Sequence, residues 1–375
     1  MIKQLTLTRF RNHPDRRFTF EGGASKYVSV SGPNGSGKTN LLEAISYLSP
    51  GRGLRGASHD QIPTAHASES GWSVTAKIAE PDNKNDTMTI STDLRGTGGG
   101  REARLNGDPL ETLGDLDHYL SVVWLTPQMD GLFLAAQSER RHFFDRLTAV
   151  FDPAHRSRLS RYETALRERN RLLKRGSTDS TWYLSLEQTL VETGIALVTS
   201  RQALIDAINR TMAGVESAFL QPRLAAVGDL ETRLREEPAA RVEQFYHEAL
   251  IENRDSDRQR GYTTYGAHKS DFQAYHPVTG LSGDQCSTGE QKAFLINIVL
   301  SHARLLDRQK SVPLIVLLDD LLSHLDRDRR CALINDLDQL FAQCWISGTE
   351  PLDDILAERQ AAFIHLEPDF SPDNK

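Results

Sequence analysis

Cysteine is scarce in this chain of 375 residues, which has three: Cys286, Cys331 and Cys344. Their spacing gives neither a zinc framework nor a disulfide ladder, which suits a reducing, cytoplasmic location. Long apolar runs are also missing. No stretch reaches the roughly 20 residues a membrane-spanning helix needs. The N-terminus lacks the charged-then-apolar pattern of a signal peptide, so no membrane partner is expected. Positive charge is in short supply, with 44 Lys and Arg against 51 Asp and Glu and a formal net charge of −7. The overall basic field that would announce nucleic acid is absent. Any polynucleotide contact must come from a local patch, or from patches added together in an oligomer. The length exceeds what one compact core usually spans, which implies two domains or one with a large insertion.

What is present centres on Gly32-Pro33-Asn34-Gly35-Ser36-Gly37-Lys38-Thr39. An alternating run, Tyr27-Val28-Ser29-Val30, precedes it as a strand, and Leu41-Leu42-Glu43-Ala44-Ile45 follows as a helix. Strand, glycine-rich loop, Lys-Thr and helix together make a phosphate-binding loop. The glycines let backbone N–H groups approach anionic oxygens, and the new helix adds its N-terminal dipole. Lys38 is placed for the β- and γ-phosphates and the Thr39 hydroxyl for Mg²⁺. The chain is therefore expected to bind ATP.

Residues 1–31 read as two strands around a turn at Phe10-Arg11-Asn12-His13. The loop helix gives way to Gly51-Arg52-Gly53-Leu54-Arg55-Gly56, a loop whose two arginines either approach the nucleotide or are solvated. Alternation from Trp72 to Ile90 predicts antiparallel strands, Thr97-Gly98-Gly99-Gly100 a turn, and Val122-Val123-Trp124-Leu125 another strand. From about 132 to 252 the periodicity is helical, without sustained heptads, so a long coiled coil is not expected. Arg167–Arg175 holds five basic residues, which fit either a solvated helical face or phosphate contacts. Strand signals return at Gly261–Gly266. Leu314 to Leu318 is a buried strand ending in Asp319-Asp320, and Trp345-Ile346-Ser347 is one more. The tail from Phe370 is polar and expected to fray.

The apolar strand should deliver its carboxyl end beside the phosphate loop, with Asp319 on Mg²⁺ and Asp320 as acceptor of a proton from the attacking water. Ser323-His324-Leu325-Asp326 behind it resembles the D-loop of ABC-type ATPases. Ser287-Thr288-Gly289-Glu290-Gln291 resembles their signature motif, and Ser287 with Glu290 forms a capping box. Leu281-Ser282-Gly283-Asp284-Gln285 matches the common signature more closely. It is set aside because the signature must open a helix, expected to start near Glu290. Gln128, after a strand, fits the Q-loop and would sense Mg²⁺ and water. The switch histidine of transporter ATPases is missing, and Ser347 or Thr349 stands there. A signature acts on ATP held by another copy, so a homodimer around two ATP molecules is expected.

Several of these stretches together resemble the RecF family of DNA-repair ATPases, within the wider SMC-like group. They are Phe10-Arg11-Asn12, the loop with its helix, Gly51–Arg55, Glu139-Arg140-Arg141-His142-Phe143-Phe144-Asp145, Gly266-Ala267-His268-Lys269-Ser270-Asp271, and the Asp-Asp strand end with Ser-x-Leu-Asp behind it. The resemblance spans residues 2 to about 350. It implies an α/β ABC-type ATPase head with a mixed sheet, from 1–130 and 256–375, and an inserted helical arm at 131–255. It implies Gly32 to Thr39, Ser287, Gly289 and Asp326 on the nucleotide, Thr39, Asp319 and Gln128 on the metal, and Lys38, Asp320 and Gln128 in catalysis. It further implies slow, DNA-stimulated hydrolysis and binding to duplex or gapped DNA. The implied partners are RecR with RecO and, indirectly, RecA. A detached transporter subunit lacks support in the arginine-rich arm, an SMC-type tether needs a longer insertion, and a nuclease-linked ATPase needs a carboxylate cluster for which no room remains.

Overall fold

The computed structural model describes residues 1–20, 25–57, 61–62, 71–79, 86–94, 100–309 and 311–367. Most of the glycine turn at 97–100 and the tail from Phe370 lie outside the described residues. The chain forms two compact units. One comprises Met1–Asp130, Ser217–Phe219 and Leu295–Lys375, and the other Gly131–Glu216 and Leu220–Phe294. The sequence divided the chain at 255, whereas residues 256–294 pack with the second unit.

The first unit opens with β1 (Ile2–Phe10) and β2 (His13–Thr19), paired antiparallel. Ile2, Leu5, Leu7 and Phe10 are the buried side chains of β1. Their uneven spacing reflects a register shift at Ile2/Gln4 and the positive φ of 50° at Arg9, each of which breaks the two-residue alternation of a regular strand. β3 (Tyr27–Ser31) is separate and feeds the phosphate loop, so three strands precede the loop where the sequence suggested two. β2 was obscured by its charged Asp15, Arg16 and Arg17, which an edge strand tolerates. Then come α1 (Lys38–Ser46), β4 (Trp72–Ala79), β5 (Thr87–Leu94), β6 (Arg101–Leu105), β7 (Asp108–Pro109) and β8 (Ser121–Leu125). Phe10, Tyr47 and Trp72 meet edge-on at centroid distances of 5.1 to 5.7 Å, each burying an apolar ring worth about 1.5–3 kcal/mol.

The second unit is mainly helical: α2 (Gln137–Phe151), α3 (Ala154–Arg175), α4 (Ser180–Ala213), α5 (Asp229–Glu236), α6 (Ala239–Glu252) and α7 (Arg254–Arg260). It also holds an antiparallel pair, β9 (Arg223–Val227) with β10 (Asp271–Tyr275). β9 interrupts the stretch expected to be helical, burying Leu224 and Ala226 on one face. Gly261–Gly266, expected as a strand, is irregular. Gly261 at φ 76° ends α7, and the Thr264 amide and hydroxyl turn back to Asp257 Oδ1 at 3.0 and 2.6 Å.

α8 (Thr288–Gln309) begins in the second unit and ends in the first. β11 (Leu314–Leu318), α9 (Arg327–Asp338), β12 (Ala342–Gly348), α10 (Asp353–Leu356) and β13 (Ala361–His365) complete the chain. The first unit thus has an antiparallel sheet, β2-β1-β4-β5-β6-β7, and a parallel one, β13-β3-β12-β11-β8. In the latter, β3, β11 and β12 emerge side by side at their carboxyl ends, which is where open parallel sheets bind ligands. No helix among the described residues is long and apolar enough to cross a membrane.

Candidate active site

The three strand ends gather a pocket lined by Asn34, Gly35, Gly37, Lys38, Thr39, Asn40, Arg55, Asp319, Asp320 and Ser347. Gly37 sits at φ 95°, a region that favours glycine, and a Cβ there would collide with the Asn12 amide. Asn12, in the β1–β2 turn, thus lies directly against the loop. Its Oδ1 accepts from Asn40 Nδ2 at 2.7 Å, and His13 Nε2 donates to Gly37 O at 3.2 Å. The β1–β2 turn is thus a brace for the loop.

Lys38 Nζ donates to Gly32 O at 2.7 Å and Pro33 O at 2.9 Å, curling over its own loop. Burial pushes the ammonium pKa down, against the pull of Asp320 and Asp319. Asp319 Oδ1 accepts from Thr39 Oγ1 at 2.9 Å and Ser347 Oγ at 2.7 Å, and the Asp320 amide donates to Ser347 Oγ at 2.9 Å. Ser347 therefore fixes both carboxylate residues, and Thr349 is absent from the lining. Asp320 has φ 47°, a left-handed backbone that Asp tolerates better than most residues.

At the phosphate loop two buried polar atoms, Ser36 Oγ and Asp320 Oδ1, have no partner among the described residues. An unpaired buried polar atom costs about 1–3 kcal/mol and points to a missing partner. Together with a Thr hydroxyl against an Asp carboxylate, the hard oxygen donors Mg²⁺ prefers, these atoms fit a bound Mg²⁺–nucleotide.

One cluster was invisible in the motifs. Glu43 on α1 is fully buried and accepts from Arg11 through both carboxylate oxygens at 2.8 and 2.9 Å, with Arg55 at 3.5 Å. Arg55 also donates to Asn40 Oδ1 at 2.7 Å, so the post-helix loop brings one of its two arginines to the pocket. Behind it, Arg101 donates to Thr92 Oγ1 at 2.7 Å, Gly51 O at 2.6 Å, Ser49 O at 2.8 Å and Tyr47 O, holding that loop to the antiparallel sheet. The only sequence signal for Glu43 was its place three residues after Asn40 on the loop helix, one turn along the same face.

The remaining expected residues lie outside this lining. Gln128 is exposed in a short 3₁₀ turn after β8. Asp326 caps α9, accepting from the Arg329 amide at 2.9 Å. Ser287 and Gly289 stand exposed at the start of α8, which begins at Thr288. Glu290 Oε2 accepts from the Ser287 amide and hydroxyl, both at 2.8 Å, completing the expected capping box. A Cβ on Gly289 would meet nothing within 4 Å, so this helix start is open to an incoming group. The competing stretch forms a 3₁₀ turn, Gly283–Gln285, with a capping box of its own, and does not itself open α8, which starts only at Thr288. His268 is interior: its Nδ1 accepts from Tyr162 Oη at 2.8 Å and its Nε2 donates to Thr263 O at 3.0 Å.

A family model described as the RecF/RecN/SMC N terminal domain matches residues 1–351. The DNA replication and repair protein RecF of Mesorhizobium japonicum is 41% identical over 353 residues, covering 93% of this chain and 91% of its own. That of Rhizobium rhizogenes is 39% identical over 353 residues, covering 93% and 92%. Among solved structures, the recombination mediator protein RecF with ATPrS, in the RecFOR pathway, matches with a TM-score of 0.81 at 21% identity over 94% of this chain and 93% of that one. The fold is therefore an α/β ATPase head of the ABC type with helices added to it.

Proposed function

The chain belongs to the RecF family, and on that premise we propose an ATPase of DNA repair that closes as a homodimer on DNA and opens after hydrolysis. One observation carries the reading. The pocket supplies cations, a phosphate loop and metal-side oxygens, and the second unit presents a capped, exposed helix start at Ser287 and Gly289, open to an incoming group. A second copy would bring that helix start to the γ-phosphate, adding its N-terminal dipole and the Ser287 hydroxyl.

In this reading the amides of Gly32 to Thr39 cradle the phosphates, and Lys38 leaves the carbonyls of Gly32 and Pro33 for phosphate oxygens. Thr39, Asp319 and Gln128 would hold Mg²⁺. Bound Mg²⁺ would neutralise charge developing on the transferring phosphoryl group. Asp320 accepts the proton of the attacking water through its unpaired oxygen, and Ser347 keeps both carboxylates in place. Asp326 meets the partner copy near its nucleotide. The division into an ATPase head of 1–130 and 256–375 and an arm of 131–255 is a functional one: residues 256–294 pack with the arm's unit yet carry Ser287 and Gly289, which serve the head. Closure adds two modest positive patches in one groove, which reconciles an acidic chain with DNA binding. The clamp marks gapped or junction DNA and helps load RecA through RecR with RecO, with slow hydrolysis timing its release.

Light scattering with and without ATP tests this. The wild type is expected to dimerise with ATP, and Lys38→Arg to weaken or lose the dimer. A wild type that stays monomeric in saturating ATP and gapped DNA would remove the clamp.

A further inference from the structure

Arg169 lies in the middle of the basic run yet is fully buried. It donates to Glu187 Oε1 at 3.0 Å, Asp257 Oδ2 at 2.7 Å, Thr263 Oγ1 at 2.8 Å and Leu250 O at 2.8 Å. Asn170 Oδ1 accepts the amide and hydroxyl of Thr263 at 2.7 and 2.8 Å. The segment after α7 is therefore pinned at Thr263 through its amide, its hydroxyl and its carbonyl, the last accepting from His268 Nε2 at 3.0 Å.

What this scaffold presents outward is different. Tyr262, beside the pinned Thr263, is 47% exposed. Lys269 is exposed and sets its ammonium 5.2 Å from the Tyr262 ring centroid. A Cβ on Gly261 would lie 3.5 Å from Lys174 Cγ and 3.7 Å from its Cε, so the end of α3 runs beside this segment. Lys174 and Arg175 in the last turn of α3, and Arg260 in that of α7, are exposed. Meanwhile the carboxylates of α7 are already engaged, Asp255 by Arg258 and Asp257 by Arg169. An exposed aromatic ring framed by cations, on a rigid mount, fits a polynucleotide strand: the cations track phosphates and the ring stacks an unpaired base.

We propose that Lys174, Arg260, Tyr262 and Lys269 form a contact surface for single-stranded DNA, at the strand end of the gapped substrate. The proposal rests on the DNA-repair reading above and assigns the arm a share in choosing the substrate. The buried Arg169 network positions the surface and touches no DNA.

The test is fluorescence anisotropy of the full chain with ATP on labelled oligo(dT), a blunt duplex and a gapped duplex across a salt series. Tyr262→Ala is expected to weaken oligo(dT) and gapped-duplex binding about fivefold to a hundredfold, leaving the blunt duplex unchanged, and Tyr262→Trp to restore it. Lys174→Gln and Lys269→Gln should each lower the salt slope on oligo(dT) by about one. ATP turnover without DNA should not change in any of these variants. Equal binding by wild type and variants on all three DNAs overturns this surface while sparing the repair reading. A Tyr262→Ala loss of the same size on blunt duplex overturns the single-strand assignment. No DNA binding by the wild type overturns both readings.

Discussion

The pocket of the first unit and the buried charge network of the second both gather ionic side chains, but they finish them differently. Around Arg169 every guanidinium nitrogen has a partner, and Glu187 is shared with Arg254 Nε at 3.0 Å. Nearby, Arg201 forks onto Asp145 at 2.7 and 2.8 Å, and His155 adds a third contact at 2.9 Å. At the phosphate loop, by contrast, Ser36 Oγ and Asp320 Oδ1 have no partner among the described residues, and Asp320 carries a left-handed backbone. A closed network stabilises structure, whereas open valences and local strain mark a site kept ready for a ligand.

The contrast can be broken from either side. Arg169→Ala leaves Asp257 buried without its cation and Glu187 with Arg254 alone, and should cost about 3–5 kcal/mol in denaturant or thermal unfolding. A cost near zero would mean the network is not structural. Lys38→Ala should do the reverse, lowering ATP turnover on the order of a hundredfold or more while melting within about 1 kcal/mol of wild type.

Acid should find the closed network next. Burial pushes His268 down to about 4, with the Thr263 carbonyl opposing and Lys269 assisting. Because the unfolded chain takes up the proton first, stability should fall as pH drops from about 6.5 to 4, by roughly 3 kcal/mol in all. Denaturation at several pH values should show this, and His268→Gln should flatten it. Burial would raise Asp145, yet Arg201 and His155 hold it at about 2, so its share is lost only below about pH 4. The smallest effect belongs to Ser36→Ala, expected to leave stability unchanged or raise it by up to about 1 kcal/mol while weakening ATP binding in a calorimetric titration.

The sequence disclosed the site where its parts are contiguous. The phosphate loop and Asp319-Asp320 each follow a strand and Ser347 lies at the end of one, and a parallel sheet brings strand ends together. It could not disclose Glu43 meeting Arg11, a pairing made by packing alone. It was equally silent on β13, whose burial is mixed and whose Phe363 is exposed. Arg167 to Arg175 shows the limit most clearly: spacing cannot tell the buried Arg169 from the exposed Lys174.

Ser347 bridges the Asp319 carboxylate and the Asp320 amide through a hydroxyl. A histidine there would change charge within the physiological range and impose its own limb on the rate profile. A hydroxyl keeps its proton throughout, and no histidine lines the pocket among the described residues. On the reading proposed above, ATP turnover by this protein then carries no imidazole limb in its pH profile.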